Sequence, residues 1–392
     1  MDKLETQNWK ELSAVQIGGA ICMPMILIGF ELARQSVETA IYAIVIGNLF
    51  LFLLALLTSK MSYEGKMTTA ENAASYFGAL GKAFFACILL FSMCTWFAIQ
   101  SQVMAEDLGR VLPEIDRGLL SMLVSSVIVV ATLKGIRAVT WLANLALPLM
   151  VITLLICLAM AFQQQREEAI ERGGDLFQGT SLVIAAAILA VVDLPTFFRH
   201  ACTRKDAIKA SVAIFLVGMP LVELFGVFLG AWTNATDLSG AFLCFGHVIW
   251  KGWIWLFILL VGWTTNNANL YSGAMCLQTL VPQMGAKRAI FAAGLLAVAL
   301  SAVNILARFE FVLGLMGVCV ASMGAVVLAS YFLQRRHVKI QSLSWLLGLS
   351  WGLLHLNGIV RITPIAIIDA SLVSAVTIFL AWRCRHEKIL TN

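Results

Sequence analysis

Charge is the scarcest commodity in this sequence: Asp, Glu, Lys and Arg make up 12% of its 392 residues, against about 25% in an ordinary soluble domain. So thin a charged shell excludes a water-soluble globule. Proline is rare as well, 7 in all, which argues against short, turn-rich segments and for long helices. The 9 cysteines are scattered and include no C-x-x-C pair, so neither a disulfide framework nor a zinc site is expected. The phosphate cradle G-x-x-x-x-G-K-[ST] and the zinc-protease pattern H-E-x-x-H are both missing, which removes an ATP-driven pump and a metalloprotease from consideration. The histidines, including His247 and His355, show no ligand spacing. No enzymatic nucleophile stands out, and no cofactor is expected.

What the chain has in abundance is apolar sequence, 60% of its residues, with a mean hydropathy of +0.89. Apolar stretches fall at 14–33, 39–59, 83–105, 118–134, 138–162, 178–198, 208–233, 252–281, 286–304, 309–334, 343–358 and 363–382. Most are close to the roughly 20 residues that cross a bilayer as a helix, where every backbone polar group must bond within its own segment. The sequence therefore predicts an all-α membrane protein of twelve spans. Its opening stretch is too long and lacks the small-residue cleavage site of a removable signal, so it is expected to persist as the first span.

Lys and Arg provide an independent test, because they accumulate in cytoplasmic connections. With the termini and every second connection assigned to one side, that side carries 19 of the 27 basic residues and the other carries 8. The split predicts both termini in the cytoplasm and a multi-pass protein of the cytoplasmic membrane. The net charge of +5 is thus read as topological, and nucleic acid is not an expected partner. Outer connections are acidic, with Glu106, Asp107, Glu114 and Asp116 in one and Glu167, Glu168, Glu171 and Asp175 in another. In the outer segment 235–251, Phe242, Phe245, Val248 and Ile249 could line one face of a short interfacial helix.

Two spans carry signs of interruption. The first holds Gly18-Gly19 followed by Pro24, and the sixth holds Asp193 and Pro195 in otherwise apolar sequence. Breaks at matching positions of two halves point to a transporter built from inverted repeats, because unwound backbone at membrane depth is tolerated where it lines a cavity. Polar residues at depth are concentrated on the third and eighth spans. Trp96 and Gln100, four apart, share a helical face, an aromatic plane beside an amide that both donates and accepts; the alternative is simple interhelical packing. The eighth span runs Gly262-Trp263-Thr264-Thr265-Asn266-Asn267-Ala268-Asn269-Leu270-Tyr271-Ser272. Interhelical polar contacts yield only about 0.6 kcal/mol on average, so this density is better explained by a bound solute or ion than by packing alone. Asp193 and Glu223 are ionisable at membrane depth and are functional candidates on that ground. For Asp193 the competing role is capping of the helix that resumes at Leu194-Pro195, and for Glu223 it is pairing within the bundle.

These motifs resemble those of the nucleobase:cation symporter family, the group that includes cytosine, purine-cytosine and hydantoin permeases. Trp263-Thr264-Thr265-Asn266 with Asn269-Leu270-Tyr271 is the most specific piece. Ile46-Gly47-Asn48-Leu49, Trp96-Phe97, Phe197-Phe198-Arg199 and Tyr331 with Arg335-Arg336 follow in the family's order. The resemblance implies a LeuT-like fold: a cytoplasmic tail at 1–13, a five-helix repeat at 14–162, its inverted counterpart at 176–336, and two added helices with a cytoplasmic tail at 337–392. It implies import of a flat heterocycle by cation symport, with sodium as the coupling ion and the bilayer and substrate as partners; no obligatory protein partner is expected.

Carried onto this sequence, the resemblance makes Trp96 the stacking platform, Gln100 an edge-reading amide, and Ala187 part of the facing wall. Asp193, Asn266, Asn267 and Asn269 become further substrate candidates. Thr264 and Thr265, the carbonyl of Val261 and carbonyls from Gly19 to Cys22 become the cation site. The stretch Ala185–Ala190 lacks the aromatic that closes the pocket in better-known relatives, which implies a one-sided stack or a roomier pocket. Two other readings stay open: a proton-coupled carrier of a related heterocycle or amino-acid-like solute using Asp193 or Glu223, and a receptor or channel on the same scaffold.

Overall fold

The computed structural model describes residues 6–110, 112–133, 136–163, 174–243, 248–334 and 336–390. Among them the regular structure is helical apart from one parallel bridge between Gln7 and Ala201. Several residues weighed above, among them Glu167, Glu168, Glu171, Phe245, His247 and Arg335, lie outside the described residues, as do the side chains of Phe242, Val248 and Ile249.

The first apolar stretch forms two helices, α1 (Trp9–Ala20) and α2 (Met23–Ala33), bent by 60° at the break. Cys22 there is extended, and Pro24 follows within the first turn of α2. Lacking an N–H, Pro24 cannot close an intrahelical bond back to Ala20, so the helix restarts instead of continuing. Next come α3 (Val37–Gly65) and α4 (Thr69–Leu108). The latter turns a corner at Gly78, whose φ of 68° is a backbone state that glycine adopts without steric cost. The helices α5 (Arg117–Thr132) and α6 (Ile136–Gln163) complete the first half.

The second half opens with α7 (Leu176–Val192), which breaks at Asp193 and resumes as the short α8 (Leu194–Phe198), with Pro195 in its first turn. A π-helical stretch, Ala213–Gly218, joins α9 (Arg204–Val212) to α10 (Met219–Thr233). The remainder is α11 (Leu238–Leu243), α12 (Val248–Leu280), α13 (Ala286–Ser301), α14 (Phe309–Phe332), α15 (Val338–Leu356) and α16 (Ala366–Leu390). Among the described residues, six helical spans are long and apolar enough to cross a membrane, and the bent α1–α2 pair makes a seventh.

Contacts between the connections sort them onto two ends of the bundle. At the end that holds the N-terminus, Gln7 N donates to His200 O at 2.7 Å and Cys202 N donates to Gln7 O at 2.9 Å. Lys66 Nζ donates to Ala201 O at 2.8 Å at the same end. At the opposite end, Arg110 pairs with Asp237 at 2.6 Å, Ser239 donates to Asp107, and the Gln102 side-chain carbonyl accepts from Leu306 N at 2.9 Å. The tail of α4 is thereby tied to the α10–α11 connection and to the turn that precedes α14.

Bare backbone sets a close contact between α2 and α10. A Cβ on Gly29 of α2 would fall 2.2 Å from Glu223 O of α10, and one on Gly226 would fall 2.2 Å from Ile26 O. Small residues permit this approach, in which dispersion between backbones replaces the hydrophobic drive that lipid cannot supply. The second half of the broken helix is therefore packed backbone to backbone against α10.

Candidate functional site

The two breaks meet at one cavity of about 110 Å³. Gly19, Ala20, Cys22 and Met25 line it from the first break, Asp193 and Phe197 from the second, Met93 and Trp96 from α4, and Thr265, Ala268, Asn269 and Ser272 from α12. The α12 residues are spaced i, i+3, i+4 and i+7, one continuous helical stripe. Val15 and Gln16, a turn before the break, extend the lining toward the N-terminal end of the bundle.

The cation candidates are brought together. Thr265 Oγ1 donates to the Gly19 carbonyl at 3.3 Å across the helix interface, and to the Val261 carbonyl at 3.1 Å. Thr264 Oγ1 donates to Val261 O and Leu260 O, each at 3.0 Å. Four of the five residues, Gly19, Val261, Thr264 and Thr265, are thus joined by direct hydrogen bonds, and Cys22 lines the same cavity as Gly19. The chemistry of the set is that of neutral hard oxygens, which suits a small monovalent cation. No group of three His, Cys, Asp or Glu side chains suited to a metal occurs among the described residues.

The substrate candidates divide. Trp96, Ala187, Asp193 and Asn269 line the cavity. Gln100 lies one turn from Trp96, fully enclosed, with neither amide atom hydrogen-bonded. Asn266 and Asn267 are turned elsewhere. Asn266 Nδ2 donates to Ser101 Oγ at 3.0 Å and Phe97 O at 3.3 Å on α4, and Asn267 Oδ1 accepts from Thr132 Oγ1 of α5 at 2.5 Å. Neither lines the cavity. Asn267→Ala should accordingly cost about 0.6 kcal/mol of stability, the average for such a tie, and leave ligand affinity unchanged in a titration; a tenfold loss of affinity would put Asn267 back at the ligand.

Asp193 does not cap α8: its side chain makes no capping bond. Its carboxylate accepts from Thr69 Oγ1 at 2.9 Å, Thr196 Oγ1 at 2.6 Å and Ser272 Oγ at 3.1 Å, hydroxyls from three separate helices. Glu223 is paired within the bundle, Oε2 accepting from Asn48 Nδ2 at 2.6 Å, while Oε1 is buried without a partner. Sequence reasoning missed Thr69, Thr196 and Ser272. It also missed the role of Phe197, which gives the cavity an aromatic from α8 where α7 offers Ala186, Ala187, Leu189 and Ala190.

The sequence matches the family profile described as "Permease for cytosine/purines, uracil, thiamine, allantoin" over residues 2–345. The chain belongs to this permease family. It is 23% identical over 321 residues to the cytosine permease of Escherichia coli K12, covering 79% of this chain and 74% of that one. Its fold is similar to that of Mhp1, a nucleobase-cation-symport-1 family transporter, in a closed conformation with bromovinylhydantoin bound. That match has a TM-score of 0.79 at 16% identity, covering 99% and 96% of the two chains. A Na+-coupled sialic acid symporter in an outward-open state is similar with a TM-score of 0.73 at 13% identity, covering 95% and 89%. This permease is therefore a membrane transporter with a LeuT-like fold, and not an enzyme. In keeping with that, Gly348-Leu349-Ser350-Trp351-Gly352, whose spacing matches the hydrolase elbow G-x-S-x-G, lies inside the continuous helix α15, whereas the elbow requires a strand-to-helix turn.

Proposed function

We propose that this permease imports a nucleobase-like planar heterocycle with sodium by alternating access. It would cross the cytoplasmic membrane twelve times, with both termini inside and with 14–162 and 176–336 as its inverted repeats. The observation that carries the reading is the bond from Thr265 to the Gly19 carbonyl at the wall of the cavity that also holds Trp96. An ion among Gly19, Cys22, Val261, Thr264 and Thr265 would tie the broken first helix to α12 and so fix the wall against which a ligand packs. Trp96 supplies the stacking plane, Asn269 a polar edge, and Ala187 the room to admit a ring. Gln100, with two unsatisfied buried amide atoms, is a costly arrangement that a ligand reaching its turn of α4 would relieve. The ties at the far end, Arg110 to Asp237 and Asp107 to Ser239, favour a state whose access is from the N-terminal side.

Coupling of this kind is reciprocal: sodium must tighten ligand binding by the factor by which ligand tightens sodium. The test is thermal unfolding of purified protein against a panel of heterocycles in sodium and in choline chloride. A true ligand at 100 times its Kd stabilises the native form by about 2.7 kcal/mol. The expected shift is large in sodium and small in choline. Equal shifts in both salts would end the sodium assignment. Proton coupling is the second reading, favoured by the unpartnered Oε1 of Glu223; undiminished uptake into sodium-free proteoliposomes under a pH gradient would establish it instead.

A further inference from the structure

Asp193 is the only carboxylate among the residues that line the cavity, and no Lys, Arg or His lines it with Asp193. A buried charge of one sign without a countercharge is an expensive feature that persists where it is used. Its hydroxyl partners hold it without neutralising it. Thr69 and Thr196 both donate to Oδ1, whereas Oδ2 receives the single bond from Ser272. A carboxylate oxygen has two lone-pair directions, so Oδ2 keeps room for one more donor at a residue that lines the cavity.

The same cavity wall holds an unused donor. Asn269 precedes Ser272 by three residues, which places the two on the same face of α12 one turn apart. Its Nδ2 is buried and has no hydrogen-bond partner, and the residue lines the same cavity. The wall thus presents a negatively charged acceptor and a free amide donor to the same cavity, linked through Ser272, which bonds Asp193 Oδ2 one helical turn after Asn269, within a pocket whose aromatic plane is Trp96.

We propose that this pair reads the amino edge of the substrate, an exocyclic amine donating to Asp193 Oδ2 and the adjacent ring nitrogen or carbonyl accepting from Asn269 Nδ2. The inference rests on the reading of the cavity as a heterocycle site and narrows it: the ligand is an amino-substituted heterocycle of the 4-aminopyrimidine or 6-aminopurine class. A diketo ring that offers a carbonyl at that position would set oxygen against carboxylate, a repulsion that discriminates more strongly than a missing contact.

Matched ring pairs differing only at that edge give the test, cytosine against uracil and adenine against hypoxanthine, by displacement or thermal shift on detergent-purified protein in sodium. The expected result is at least tenfold tighter binding of the amino member in one pair. Asp193→Asn, which places an amide donor at the same point, should lower that preference at least tenfold and bring the oxo member closer. Asn269→Leu, at a half-buried position away from the hydroxyl cluster, should weaken the amino ligand in protein that stays monodisperse. Oxo members that bind wild type as well as their amino partners would overturn the inference while leaving heterocycle transport standing. Loss of both members by the same factor in Asp193→Asn, with Asn269→Leu unaltered, would also overturn it. Binding of another heterocycle of the panel with none of the four rings bound overturns the inference alone, and no binding by any heterocycle overturns both readings.

Discussion

Thr264→Ala/Thr265→Ala abolishes sodium-driven accumulation while leaving a folded protein. The two hydroxyls are the side-chain oxygens of the proposed ion site, and a hydrogen-bonding group that faces a charge contributes about 1.5–3 kcal/mol. Loss of both weakens sodium roughly 10²–10⁴-fold, enough to uncouple transport at ordinary sodium concentrations. The structural cost is small by comparison. Three of the four bonds they make return to Leu260 and Val261 of the same helix, a type of contact that adds little to helix stability. Only the bond from Thr265 to Gly19 crosses between helices. Serine at both positions keeps the oxygens and should keep accumulation. The measurement is radiolabelled uptake into proteoliposomes under an imposed sodium gradient, with the expected substrate level stopping at equilibrium. Continued concentration of substrate by the double alanine variant would remove these residues from the ion site.

The breaks were legible because their cause is local. Gly18-Gly19 with Pro24, and Leu194-Pro195 after Asp193, deny the backbone its next intrahelical bond whatever surrounds them. The joining of Thr265 to the first break was legible less directly, through a polar density on α12 too great for packing alone. Helical azimuth decided which of those polar residues reach the cavity. Thr265, Ala268, Asn269 and Ser272 fall on one stripe, and Asn266 and Asn267 are carried round toward α4 and α5. The 3.6-residue period contains that distinction, so it is the spacing of these asparagines, and not their number, that says which of them line the cavity. Other features had no local signal. Thr69 is 124 residues from Asp193 in sequence, and the route of Phe197 into the cavity depends on how α8 leaves the break. A bundle brings such residues together through its crossing geometry, which a single span does not encode.

Trp96→Ala is expected to weaken ligand binding by about 1–3 kcal/mol, the range for stacking of a base on an aromatic side chain, or roughly 5–150-fold in Kd. Trp96 is 7% exposed and lines the cavity from α4, so its ring packs the bundle as well as serving the proposed recognition, and removing a large buried side chain itself costs about 3–5 kcal/mol of stability. Trp96→Phe separates the two effects: it keeps a stacking plane and most of the volume, and should recover much of the affinity. Titration calorimetry in sodium resolves the series. The sodium arm carries the sharper expectation, because Trp96 is absent from the hydrogen bonds that join Gly19, Val261, Thr264 and Thr265. Sodium affinity without ligand should be the same in wild type and Trp96→Phe. The added sodium affinity that ligand confers should persist in that variant at saturating ligand, since the coupling free energy belongs to the shared wall and not to the ring that stacks. Unchanged ligand affinity in a folded Trp96→Ala variant would make the indole a packing residue and move the recognition plane to Phe197 on the opposite break.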